Sequence, residues 1–135
     1  MKVAAVQAAP VFLDPQASTD KLIALLRDAA SNGAELVVFP EVFLSGYPVW
    51  LRAPSVAHND ELLKIGHVAY LKSAITTDGP QIAAICAEAT DLGVAVMTGI
   101  VERAGSGGSV YASLVTILPD KGVVNVHRKL KPTFH

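Results

Sequence analysis

Only one cysteine, Cys86, stands among the 135 residues. No internal disulfide can brace the fold, and a reducing compartment suits the chain. Charge of either sign is sparse and unclustered. Eleven Lys and Arg against twelve Asp and Glu give a formal net charge of -1, and no basic block marks a polyanion footprint, so no nucleic-acid partner is expected. The longest apolar runs, such as Leu36 to Phe39, fall far short of the ~20 residues that cross a bilayer as a helix. No charged-then-apolar leader follows Met1, so a cytoplasmic location without a membrane partner is the default expectation. What the chain does have is apolar content. At 51% hydrophobic residues it describes one compact domain or a piece of a larger one. So short and so apolar a chain leaves surface for a missing part or a partner to cover.

Periodicity orders the elements. Lys2 to Ala8 has strand length and β-branched content, and Pro10, Asp14 and Pro15 break it into a loop. Leu22, Ile23, Leu25, Leu26, Ala29 and Ala30 recur at helical spacing, with Ser18 or Thr19 as the expected cap and Gly33 as the stop. Glu35 to Phe39 reads as a buried strand, completing a βαβ unit with parallel strands. A long loop from Pro40 to about Asn59 carries Phe43, Tyr47 and Trp50, aromatic content that argues against disorder. A helix from Glu61 to about Ile75 is weakened by Gly66, and a further helix runs from Pro80 to Leu92, with Gly93 just beyond its end. Val94 to Val101 is a strand. Ala104 to Ser109 is a glycine-rich surface loop, and Val110 to Leu118 pairs with Val123 to Lys129 through the turn PDKG. The result is an α/β fold whose mixed sheet has helices on one face and needs a cover on the other.

Two clusters carry chemistry. Glu41 follows a buried strand by one proline, the position where functional groups gather in open α/β sheets. It is either a solvated strand end or a general base, its pKa raised by the apolar walls of Phe43, Tyr47 and Trp50. HRKLKPT, from His127 to Thr133, is either a charge-guarded edge strand or a strand end presenting an ammonium to developing negative charge. The period of two puts Lys129 and Lys131 on one face and Arg128 on the other, without choosing between the lysines. Cys86 lies on the helical stripe with Ile82, Ile85 and Ala89 and reads as a buried structural thiol. His58, His67, His127 and His135 show no metal-ligand spacing, so no metal is expected.

Together, GAELVVFPEVFLSGYP (Gly33 to Pro48) and HRKLKPT resemble the glutamate and lysine motifs of the nitrilase (carbon–nitrogen hydrolase) superfamily. KVAAVQAAP at the amino terminus and TGIVER from Thr98 are also similar, so the resemblance covers essentially the whole chain. It implies an αββα sandwich, incomplete in this chain, with residues 1–135 as the amino-terminal part of a single domain. It implies a Glu-Lys-Cys triad in which Glu41 matches the general base and Lys129, not Lys131, matches the charge-stabilising lysine. GYPVW and the PT after the lysine motif resemble the nitrilase branch, which implies conversion of a nitrile to a carboxylic acid and ammonia. Amide hydrolysis by the same triad, or a non-catalytic truncated paralogue, are the alternatives. The family's nucleophilic cysteine lies downstream of the lysine motif, in a CxxWE-like turn. The sequence ends at His135 before any such pattern, and Cys86 does not match it. The chain alone is therefore expected to be inactive. The complete protein is expected to need no cofactor, to act on a small-molecule nitrile or amide and to form a homo-oligomer. Tyr47 and Trp50 either border the substrate pocket or pack the loop.

Overall fold

A computed structural model describes residues 1–53, 59–106 and 108–131. Pro54, His58, Gly107 and the Pro132, Thr133 and His135 of the carboxy-terminal stretch lie outside the described residues. The elements follow the expected order: β1 (Val3–Ala5), α1 (Pro15–Ser31), β2 (Leu36–Val38), α2 (Asp60–Lys72), α3 (Pro80–Leu92), β3 (Ala95–Arg103), β4 (Val110–Leu118) and β5 (Gly122–Arg128). The strands form one sheet in the order β1-β2-β3-β4-β5. β1, β2 and β3 run parallel, while β3, β4 and β5 are joined as antiparallel neighbours.

α1 starts earlier than expected. Pro15 opens the helix, because a proline at the first position gives up only an amide that would be unpaired anyway. The cap is Asp14, whose carboxylate accepts from the Ala17 amide at 3.0 Å. Ser18 is buried inside the helix instead, where its hydroxyl donates to the Val11 carbonyl at 2.9 Å and accepts from the Val11 amide at 3.0 Å. Thr19 donates to the Pro15 carbonyl at 2.7 Å. Asn59 caps α2 by accepting from the Leu62 amide at 3.1 Å, and Gly66 does not interrupt that helix. α3 ends as expected on Gly93, whose φ of 67° is the left-handed conformation that glycine adopts at helix ends.

The core lies between the sheet and helices α1 and α3. Leu22 and Leu26 of α1 and Ile82 and Ile85 of α3 pack with Val37, Val96, Ile100, Val115 and Ile117 of the sheet. On the other face, Leu36, Val38, Met97, Leu114 and Thr116 stay half-buried and Val3 is exposed. Among the described residues no second sheet packs on that face. β3 alternates buried and half-buried residues up to Met97 and is then buried without interruption from Thr98 to Glu102. The cause is local: Ile75, after α2, bonds β3 through its amide to the Val101 carbonyl at 2.9 Å, and the turn after β2 covers the strand beside it. This covered end of β3 is where the candidate site lies.

α1 and α3 are tied at the surface by a two-pronged ion pair. Arg27 donates from Nε at 2.7 Å and from Nη2 at 2.6 Å to the two carboxylate oxygens of Glu88. The hydrogen bonds from Arg27 hold the Glu88 carboxyl below the usual carboxylate range. A carboxyl lowered in the folded state stabilises the fold above its unfolded value, near 4.5, and loses that contribution as pH falls through the lowered value. The wild-type melting temperature is therefore expected to fall more steeply than that of Glu88→Gln between about pH 7 and about pH 3. Parallel thermal-melt curves for the two proteins would show that the pair contributes nothing.

Candidate active site

The site is built on the turn after β2. Phe39 donates to the Met97 carbonyl at 2.8 Å, the last tie to β3 before the chain turns. Pro40 then removes a donor and ends the strand. Val42 adopts a φ of 46°, a left-handed conformation that is rare for a β-branched residue. It is held there from several sides. Its carbonyl accepts from the Gly46 amide at 2.8 Å and the Ser45 amide at 3.1 Å, and its side chain is buried with Ala74 and Val101. The buried Ser45 hydroxyl donates to the Ser73 carbonyl at 2.7 Å. Glu41 precedes this fixed residue, so its backbone is fixed too.

Gly99 makes the close approach of turn and strand possible. A Cβ built there would lie 2.3 Å from the Val42 nitrogen, 2.5 Å from the Pro40 oxygen and 2.7 Å from the Glu41 carbonyl carbon. All are backbone atoms. Only a residue without a side chain lets β3 pass beneath the Glu41 turn.

Lys129 arrives from the other end of the sequence. Its amide donates to the Ala112 carbonyl at 2.8 Å, extending the pairing of β5 with β4 one residue past the strand. Its ammonium donates to Glu41 Oε1 at 2.8 Å, across 88 residues of sequence. That hydrogen bond, helped by the carboxylate's charge, raises the Lys129 ammonium above the usual lysine range. Lys131 is exposed and makes no such contact among the described residues.

Glu41 and Lys129 open into a cavity of about 570 Å³ walled by Tyr47, Trp50, Tyr70, Val101, Tyr111 and Ala112, among others. The walls are mostly apolar, so the ion pair is the main polar feature of the space. Tyr70 and His67, both on α2, also line it, and their place was not evident in the sequence. Burial, and secondarily the Glu41 charge, raise the Tyr70 hydroxyl above its ordinary value. Tyr47 and Trp50 border the cavity, and Trp50 also packs edge-on against Phe12 at 5.6 Å and Tyr70 at 5.5 Å. Trp50 thus borders the cavity and packs the loop at once. Among the described residues no group of three His, Cys, Asp or Glu side chains is arranged to hold a metal ion. No helix among them is long and apolar enough to cross a membrane.

The profile of the carbon-nitrogen hydrolase family matches residues 2–135. The chain belongs to that family. Within it, the chain is 42% identical over 134 residues to an aliphatic nitrilase of Rhodococcus rhodochrous, a match covering 98% of this chain and 35% of the relative. An arylacetonitrilase of Hypocrea virens is 41% identical, over 98% of this chain and 38% of its own length. The chain thus spans little more than a third of the length of these relatives. A solved carbon-nitrogen hydrolase superfamily protein of Xanthomonas campestris, with an arsenic adduct in its active site, superposes with a TM-score of 0.68. That match is at 27% identity and covers 94% of this chain and 39% of that one.

Two expectations for this carbon-nitrogen hydrolase chain need correction. Phe43 does not wall Glu41. It is buried in the core beside Phe39, with ring centroids 5.1 Å apart, because the left-handed Val42 turns the chain inward at that point. The Glu41 side chain keeps 46% exposure and that of Lys129 39%, so the expected desolvation is not met by these residues. Cys86 is half-buried rather than fully enclosed, packing on the core from α3, and burial pushes its thiol up. It does not line the cavity of Glu41 and Lys129, which suits the structural role expected of it.

Proposed function

We propose that residues 1–135 form the amino-terminal part of a single catalytic domain that hydrolyses a nitrile to a carboxylic acid and ammonia. In this reading Glu41 and Lys129 supply two members of a three-residue site. The observation that carries it is the 2.8 Å contact between Lys129 and Glu41 in an apolar cavity. The family membership and the nitrilases about 40% identical to the chain support it. The third member is a cysteine contributed from outside residues 1–135.

The arrangement suits that chemistry. Glu41 takes the proton of the incoming thiol, and the thiolate attacks the nitrile carbon to form a covalent thioimidate. The Lys129 ammonium faces the same space and stabilises negative charge growing on nitrogen as the triple bond opens. Glu41 passes the thiol's proton to that nitrogen and so becomes a base again. It then deprotonates a water that adds to the carbon, and the nitrogen, protonated in turn, leaves as ammonia to give a thioester. A second water releases the acid and returns the thiol. Two waters are consumed for each nitrile. A cytoplasmic setting agrees with a mechanism that needs a free thiol.

The experiment is a chimera. This chain replaces the matching amino-terminal segment of the Rhodococcus rhodochrous aliphatic nitrilase, and ammonia release is followed from a nitrile and from the corresponding amide. The chimera is expected to release ammonia from the nitrile, and Cys86→Ala is expected to leave that rate unchanged. The 135-residue chain alone is expected to release none. Turnover of the amide without the nitrile would replace nitrile hydrolysis by amide hydrolysis. A folded chimera inert on both would reject the reading.

A further inference from the structure

Glu102 is a buried carboxylate that the proposed chemistry does not use. It sits on β3 with 6% exposure, and its side chain meets three donor atoms. Ser113 Oγ donates to Oε2 at 2.6 Å, Arg128 Nε donates to Oε2 at 3.0 Å, and Arg128 Nη2 donates to Oε1 at 2.6 Å. The Arg128 guanidinium also lies 4.0 Å from the centre of the Tyr111 ring. A carboxylate taken from water costs several kcal/mol unless it is fully partnered, and here its partners come from the two other strands β4 and β5. The hydrogen bonds from Arg128 hold the Glu102 carboxyl below its usual range despite burial, so it is charged at neutral pH.

The position of this cluster gives it a consequence for the site. β5 is an edge strand and ends at Arg128. Strand ends at a sheet edge fray readily, because they are paired on one side only. The fork on Glu102 fastens the last residue of β5 to β3. The next residue is Lys129, and side chains alternate between faces along an extended chain. With Arg128 fixed on one face, Lys129 is delivered to the other, where Glu41 stands.

We propose that Glu102, Ser113 and Arg128 are positioning residues for the Glu41–Lys129 pair. The buried carboxylate anchors the guanidinium, the guanidinium fixes the end of β5, and the alternation of the chain aims the Lys129 ammonium. The functional meaning of this rests on the reading of Glu41 and Lys129 given above. The positioning itself can be tested without turnover.

The test is a pH titration of the Lys129 Cε resonance in the 13C-lysine-labelled 135-residue chain, assigned by its loss in Lys129→Arg. In wild type the midpoint is expected above that of an ordinary lysine, and Glu41→Gln is expected to lower it by removing the carboxylate. Arg128→Lys cannot form the fork but keeps a cation beside the buried Glu102, so the carboxylate stays paired and the chain is expected to fold with a lower melting temperature. It is expected to lower the Lys129 midpoint by about half the Glu41→Gln effect or more, and Glu102→Gln by at least as much. A wild-type midpoint in folded Arg128→Lys overturns the proposal, even if its melting temperature drops, because the cluster would then be structural only. If Glu102→Gln fails to fold, Arg128→Lys decides alone. A failure of the catalytic reading would look different: a chimera whose turnover ignores Glu41→Gln, with the order of the Lys129 midpoints intact.

Discussion

Replacing Gly99 by alanine is expected to lower the unfolding free energy by about 3 kcal/mol, the upper end of the usual range for overpacking a tight interior. The Glu41–Lys129 contact is expected to be lost in the same variant. The reason is the nature of the obstacle. A methyl group at position 99 meets the backbone of Pro40, Glu41 and Val42 at 2.3 to 2.7 Å, and backbone cannot rotate away as a side-chain tip can. Either β3 or the turn must move. β3 is paired with β4 from Val96 to Arg103, so the turn yields, and Glu41 goes with it. A loss of about 3 kcal/mol multiplies the unfolded fraction more than a hundredfold, which urea denaturation resolves easily. Gly105→Ala is the control, since nothing lies within 4 Å of a Cβ there, and it is expected to leave stability unchanged. A Gly99→Ala protein with wild-type stability and an unshifted Lys129 titration would mean that the turn is not seated on β3 as described.

The same glycine shows which parts of the site were legible in the sequence. The elements themselves were, because burial on one face writes a period of two or 3.6 into the residues, and α3 and the β4–β5 hairpin appear where those periods put them. The start of α1 is not legible because Pro15 is ambiguous locally, serving equally as a loop breaker or a first-turn residue. Periodicity offered both Lys129 and Lys131. The family resemblance points to Lys129, and it is the Lys129 ammonium that lies 2.8 Å from Glu41. Gly99 carries a weaker sign, since an isolated glycine in a strand signals close approach of another backbone. Its reason lies at Pro40 to Val42, far away in sequence, and no local pattern names the partner. The place of Phe43 is hidden for a related cause. The direction of its side chain depends on the left-handed φ of Val42, and a valine gives no warning of that conformation.

In the chimera, Glu41→Gln is expected to lower kcat by about 10² to 10⁴, the usual worth of a positioned general base. The substitution separates chemistry from folding. Glutamine has nearly the same shape as glutamate and retains an oxygen that can accept from Lys129, while it cannot take a proton at neutral pH. The Glu41 side chain is 46% exposed in this chain, and an ion pair at that exposure contributes about 0–1 kcal/mol, so little stability is at stake. A large kinetic loss at unchanged melting temperature therefore belongs to the reaction. Lys129→Ala should cost about 10² to 10³, by analogy with removal of one donor from an oxyanion site. The double variant distinguishes a coupled pair from two independent groups. If the ammonium acts on a reaction that the carboxylate initiates, removing both should cost little more than removing Glu41 alone. Multiplying losses would instead mean separate tasks, with Lys129 contributing to binding even where no proton is taken. A Glu41→Gln chimera within about tenfold of its parent would return Glu41 to the plainer role of a charged strand end.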